Sequence, residues 1–178
     1  MTTPSGSISL AQQHLKLQLA DCAAFRTWCK TGNQAEALSH IYLEGLPKPP
    51  AGQKTYMKEQ LESLRPYALV NTKASGGFSL SFGSFGSHAE YDASGKLEVT
   101  LFQNCPENLG NDPTSDANQQ FSNFCGELID QLATLSGQAG YLCFERLTFD
   151  GPYWTHPLLL PTEDLYQWCE IGVDWKGS

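Results

Sequence analysis

Two stretches decide the fold: Leu97-Glu98-Val99-Thr100-Leu101-Phe102, and Phe121-Ser122-Asn123-Phe124-Cys125-Gly126-Glu127-Leu128. In the first, apolar and polar residues alternate, the period of a half-buried strand. In the second and its continuation, Phe121, Phe124, Cys125, Leu128, Leu132 and Leu135 recur at three- and four-residue steps, which gathers them on one side of a helix. Asp116 can cap that helix and Gly137 can stop it. Two more alternating segments follow. Tyr141 to Phe149 places Leu142, Phe144 and Arg146 on one face and Tyr141, Cys143 and Leu147 on the other. Tyr166 to Trp175 aligns Cys169, Ile171, Val173 and Trp175. A helix with one apolar stripe and strands with one apolar face bury each other, so the pattern predicts an α+β fold. Its antiparallel or mixed sheet has about four to five strands, with the long helix on one face.

Upstream, Asp92-Ala93-Ser94-Gly95-Lys96 reads as a turn, pairing Ala89-Glu90-Tyr91 with Leu97 to Phe102 as a hairpin. Tyr67 to Asn71 reads as a short strand. The N-terminal part, about residues 8–64, reads as helical. Leu15, Leu19, Cys22, Phe25 and Cys29 share one side of a helix from Ser7 to about Cys29, and Thr31-Gly32-Asn33 breaks it. Asn33 can cap a second helix with inner face Ala37, Leu38 and Ile41, ending at Gly45, and Thr55 a third, from Tyr56 to Leu64. Pro66 stops that one because proline lacks the amide donor. Asn104 to Ser115, Asp150 to Pro157 and Pro161 to Asp164 read as loop, turn and bend. Ala74 to His88 is rich in Gly and Ser, with Phe78, Leu80, Phe82 and Phe85 set among them. It is a β-hairpin arm with an apolar face, a loop folded back on the core, or a disordered loop.

A chain of 178 residues is the size of one ordinary domain and can bury about 70% of the surface its unfolded form exposes. The expectation is a single domain, 1–178, frayed at Met1 to Gly6 and Lys176 to Ser178. A formal charge of −8 with no Lys/Arg cluster argues against binding along a phosphate backbone, which depends on cations displacing counterions. The same charge suits either a simply soluble surface or a channel through which DNA slides. No apolar run is long enough for a membrane span and the N-terminus lacks a signal-peptide pattern, so the expected place of folding is the cytoplasm.

Residues that could carry chemistry are sparse. Cys22, Cys29, Cys105, Cys125, Cys143 and Cys169 are scattered without a C-x-x-C pair and read as reduced, mostly core residues. His14, His40, His88 and His156 make no H-E-x-x-H motif. His88, Glu90 and Asp92 would share one face of an extended strand, as ligands of a weak metal site or as an ordinary solvated face. The glycines at 76, 77, 83 and 86 lack the flanking strand, helix and Lys-Ser/Thr of a phosphate loop. Glu127 and Asp130 lie three apart on the long helix, as surface acids do. The expectation is no catalytic residue, no metal and no cofactor.

Several phrases, taken in order, carry a family resemblance. They are Ile41-Tyr42-Leu43-Glu44-Gly45-Leu46-Pro47, Leu64-Arg65-Pro66-Tyr67-Ala68-Leu69-Val70, Leu97 to Leu101, the helix Phe121 to Leu135, Gly151-Pro152-Tyr153-Trp154-Thr155-His156-Pro157, and Gly172-Val173-Asp174-Trp175. Over roughly residues 8–176 the chain resembles the tail terminator, or tail completion, proteins of long-tailed phages. The resemblance implies a non-enzymatic virion protein at the tail–neck junction, assembled in the host cytoplasm. Its copies would close as a ring, a hexamer, that caps the tail tube and contacts tail tube and neck or connector proteins, while DNA passes the lumen without specific binding. The N-terminal helical region is longer than in the simplest members, and a head–tail adaptor or stopper of the connector is the alternative within that biology. A small cytosolic thiol or metal-dependent hydrolase is the alternative outside it. Phe78, Leu80, Phe82 and Phe85 are the candidate subunit or tube contacts, because an extended apolar arm reaching a neighbour is one way to close a ring.

Overall fold

The computed structural model describes residues 7–73, 79–85, 88–105, 116–155 and 164–176; for Ser7, 79–85, 88–92 and 116–118 it describes the backbone only. The elements in chain order are α1 (Ser7–Asp21), α2 (Ala23–Cys29), α3 (Gln34–Leu38), β1 (Ile41–Leu43), α4 (Lys58–Leu64), β2 (Tyr67–Thr72), β3 (Ser79–Phe85), β4 (His88–Asn104), α5 (Asp116–Leu135), β5 (Cys143–Trp154) and β6 (Tyr166–Lys176). Five strands form a mixed sheet in the order β1-β2-β4-β6-β5, with β3 added to β4 off that path. β1 and β2 are parallel and the other pairs antiparallel. The α+β fold with a helix packed on the sheet is therefore as the periodicities predicted.

The core lies between the sheet and the helices α1, α2 and α5. α5 contributes Phe121, Cys125, Leu128 and Leu132, all essentially sealed from solvent, and β6 contributes Cys169, Ile171, Val173 and Trp175. β4 adds Leu97, Val99 and Leu101, and α1 adds Leu15 and Leu19. Trp28 lies among Phe25, Phe121 and Phe124, stacked on Phe124 with ring centroids 4.8 Å apart. Its indole N–H donates to Gln103 Oε1 at 2.8 Å, and Gln103 Nε2 donates to the buried Gln167 at 2.6 Å. Burial of polar atoms here is matched by partners, which is what makes it affordable.

Two glutamines, one buried and one half-buried, tie the helices down. Gln18 of α1 is fully buried; its amide donates to the Leu142 carbonyl (3.2 Å) and accepts from the Leu142 N–H (3.0 Å). One side chain thus acts as a strand partner for the residue just before β5. Gln131 of α5 accepts from the Ala24 N–H at 2.9 Å, capping α2, whose own N-cap residue Cys22 makes no side-chain cap.

The structure corrects several sequence expectations. The first helix is two, because Cys22 is extended (ψ 123°); the α1 carbonyls freed there accept from Arg26 Nη1, at Ala20 O and Asp21 O. Ile41 is in a strand, not the end of a helix: Ile41–Leu43 pair in parallel with Ala68–Val70. A short apolar run reads the same either way, and the ladder partner decides. Asn33 does cap α3, accepting from the Glu36 N–H. α4 starts at Lys58 instead of Tyr56, and Gln60 Oε1, not Thr55, accepts there, from the Met57 N–H at 2.8 Å.

The largest correction is at Asp92–Lys96. No turn occurs there; β4 runs unbroken from His88 to Asn104. Gly95 pairs with Trp175 of β6, and a Cβ on it would sit 3.1 Å from the indole ring. The glycine makes room for a cross-strand tryptophan.

β5 departs from simple alternation twice. A bulge between Phe144 and Arg146 brings both Phe144 and Leu147 to the core, against the expected separation of their faces. A second irregularity between Asp150 and Tyr153 carries the strand on to Trp154, where the sequence reads as a turn. The expected loop Asn104–Ser115 and bend Pro161–Asp164 lie almost wholly outside the described residues, as do Met1 to Gly6.

Replacing Gln18 by Ala orphans the buried Leu142 N–H, while the Leu142 carbonyl keeps the Gly137 N–H at 3.1 Å; urea titration is expected to show a loss of about 1–3 kcal/mol. Gly95→Val forces Trp175 from its seat and is expected to cost about 1–3 kcal/mol, seen as a lower unfolding midpoint with loss of near-ultraviolet tryptophan signal.

Candidate functional site

The first feature that could meet a partner is the end of β4. β6 pairs with β4 from Ser94 to Asn104 and β2 pairs with Leu97 to Phe102, so His88–Ala93 extend past the sheet. Among the described residues that extension pairs with β3 alone, in the register Ser79↔Ser94 to Phe85↔His88. At about 3.4 Å per residue it reaches about 20 Å beyond β6. Of the three readings open for Ala74–His88, the described backbone is a β-hairpin arm.

Register sorts the residues of the arm by face. Leu80 opposes Ala93 and Phe82 opposes Tyr91; Phe85, of the other parity, opposes His88. The four-residue apolar set therefore does not line a single face: Leu80 and Phe82 share one, Phe85 falls on the other, and Phe78 lies outside the described residues. His88, Glu90 and Asp92 fall opposite Phe85, Gly83 and Ser81; their side chains are outside those described, so a metal site there is neither built nor removed.

At the base of the arm, Ala93 and Trp175 line a cavity of about 480 Å³ with Leu10, His14, Tyr141 and Cys143. Leu10 is 46% exposed at its rim. Ala93 packs against the core, so the arm's Leu80–Phe82 face continues the side of the sheet that the helices cover.

The second feature, which the sequence reading missed, is an aromatic row across the opposite face. Tyr42 of β1 meets Tyr67 of β2 (5.9 Å between centroids), Tyr67 meets Phe102 of β4 (5.1 Å), and Phe102 meets Tyr166 of β6 (5.8 Å). Tyr166 and Tyr153 of β5 both meet Trp168, each at 5.4 Å. Such contacts add about 0.5–1.5 kcal/mol per pair beyond burial. Arg65 lies 4.7 Å over the Tyr166 ring and forms a two-pronged ion pair with Asp164, while donating to Asn104 Oδ1 at 3.1 Å. The signal was parity: in the first half of β6 the residues out of phase with the core include Tyr166 and Trp168, where an ordinary solvated face would be polar.

Beside this row stand three carboxylates. Asp150 is directly opposite Glu170, and Glu98 is ion-paired with Lys73 at 3.3 Å. Gly172 keeps the surface low: a Cβ there would lie 2.4 Å from Thr148 Oγ1 and 3.6 Å from Lys73 Nζ. Burial, then the charges of Glu98 and Asp150, hold the Glu170 carboxyl above the ordinary carboxylate range, and Lys73 only partly offsets them.

Nothing among the described residues assembles a metal cluster of three or more His, Cys, Asp or Glu. Burial pushes the Cys22 and Cys29 thiols up to about 12, away from thiolate chemistry at neutral pH. Among the described residues no helix is long and apolar enough to cross a membrane.

No family model and no curated protein matches the chain. Among solved structures, it is similar to a chain of the "virion of native gene transfer agent (GTA) particle", with 12% identity, 97% of this chain and 100% of that chain covered, and a TM-score of 0.40. A likeness at that level defines no shared role. What the coordinates define is the class: an α+β protein with a mixed sheet, helices on one face, an aromatic row on the other and a projecting hairpin.

Glu170→Gln is expected to stabilise the protein at neutral pH by about 0.2–1 kcal/mol, because like charges directly opposite across strands are unfavourable. A raised carboxyl pKa means the folded state holds its proton longer than the unfolded state does. That contribution is complete below the unfolded value and is lost as pH rises through the folded one. Denaturant midpoints taken from pH 4 upward should therefore fall less steeply for the variant than for the wild type just above the ordinary carboxylate range.

Proposed function

We propose that this protein is a non-enzymatic virion structural protein, a tail terminator whose copies close as a ring, a hexamer, on the tail tube and join it to the neck. The observation that carries the reading is the overshoot of β4. A strand and its hairpin partner extended beyond the sheet, with no other described strand pairing with them, present open backbone edges that a neighbouring copy can meet. A heterologous interface needs two different patches on each copy, and the arm and a surface elsewhere on the fold supply two; repeated by rotation, such a contact closes a ring. Leu80 and Phe82 are then the first-choice contacts, with Phe85 on the reverse face and Phe78 leading into the strand. The tail tube and neck or connector proteins are the proposed partners above and below the ring.

The charge balance fits a lumen that DNA traverses. With a formal charge of −8 the surface offers DNA no excess of cations to bind, and the sheet-face carboxylates add local repulsion. Localisation at the tail–neck junction of a virion follows from the same reading.

Light scattering coupled to size-exclusion chromatography across a wide concentration range tests it. A discrete hexamer for the wild type is expected, and deletion of Gly76 to Gly86 should reduce it to monomers while leaving the unfolding free energy within about 0.5 kcal/mol of wild type. An assembly whose mass survives the deletion would sink the arm as the contact. A strict monomer that also fails to bind tail tubes would sink the ring.

A further inference from the structure

Two of the four buried thiols face each other. Cys125 lies on the inner face of α5, one turn from Phe121 and from Leu128, and Cys169 lies in the core-facing row of β6; both are 0% exposed. Their sulfur atoms are 3.2 Å apart, with one thiol donating to the other. The remaining buried thiols differ: Cys22 Sγ donates to the Gln18 carbonyl, and Cys29 meets no sulfur among the described residues. A disulfide needs a sulfur–sulfur distance of about 2.05 Å, so closing this pair requires each sulfur to move by roughly 0.6 Å, within reach of small side-chain rotations.

We propose that Cys125 and Cys169 are a modification site, an intramolecular disulfide that a peroxide closes and that locks α5 onto β6. The chemistry balances with hydrogen peroxide as the oxidant. One thiol sulfur takes an oxygen from the peroxide, giving a sulfenic acid and one water. The second sulfur displaces that hydroxyl, forming the S–S bond and a second water. Both thiol protons leave in the two waters, and two electrons pass from sulfur to the peroxide.

Enclosure selects the oxidant. A disulfide reagent must bring its bulk to the attacking sulfur, whereas a peroxide is close to the size of water. The hydrogen bond to Cys125, then burial, push the Cys169 thiol up, which slows its reaction with peroxide and makes prolonged exposure the condition for closing the bond. The exposed Cys143 and half-exposed Cys105 would meet bulky reagents first. The bond would join the helix layer to the sheet at the middle of the core, closing the chain segment that holds the second half of α5, all of β5 and the start of β6. The inference is independent of the ring reading.

The test uses the full chain with Cys105→Ser and Cys143→Ser, which removes the accessible thiols and leaves the core unchanged. Hydrogen peroxide is added at neutral pH. Expected are an intact mass lower by two hydrogens, a non-reduced peptide map linking the Cys125 and Cys169 peptides, and an unfolding midpoint raised by about 5–15 °C that dithiothreitol reverses. Adding Cys125→Ala to the same background should abolish the mass change. The readout in the parent background does not depend on how well that last variant folds. An unmodified pair, oxygen additions without a link, or a link to Cys22 or Cys29 overturns the site. A link that leaves the midpoint unchanged or lower overturns the locking role.

Discussion

The backbone ladder along β4 is the constraint on which the rest of the molecule hangs. At 17 residues this strand hydrogen-bonds to β2, β3 and β6, and β1 and β5 reach the sheet only through β2 and β6. Its register sets which residues face α1 and α5. Shift it by one and Leu97, Val99 and Leu101 would exchange places with Glu98, Thr100 and Phe102. Gly95, seated under Trp175, pins that register where the sheet gives way to the arm. The hydrophobic core, the aromatic row and the projecting hairpin are three consequences of one long, correctly phased strand.

What the sequence disclosed follows from how local each signal is. α5 and β6 carry strong periodicities, and both were legible together with the faces they bury. The break at Cys22 was not, because it depends on the Arg26 side chain turning back to the end of α1 and on the remote Gln131 of α5 replacing a local cap. Ile41–Leu43 is too short for its period to be read and becomes a strand only because Ala68–Val70 is beside it. At Asp92–Lys96 the residues are those of a turn, yet the glycine serves a tryptophan 80 residues away. The bulge at Glu145 shifts the phase of β5 in a way that no alternation rule anticipates.

The candidate surfaces divide in the same manner. Phe78, Leu80, Phe82 and Phe85 stood out by composition, and their segment is the hairpin; only the register with β4 separates Phe85 from Leu80 and Phe82. The aromatic row is made of residues from five strands, each unremarkable alone. It exists as a surface because Arg65, held by Asp164 and Asn104 over Tyr166, ties the approach to β2 to the connection before β6. Tertiary placement, not residue type, makes it one feature.

The two outer strands of the sheet have a further consequence. β1 is three residues long, and β5 is interrupted twice along its length. Neither offers the long, even run of free amides and carbonyls that lets sheets of separate molecules join end to end without limit. With both sides blunted, another chain finds no even edge at either end of the main sheet on which to add a strand, and sheet-on-sheet growth there is disfavoured.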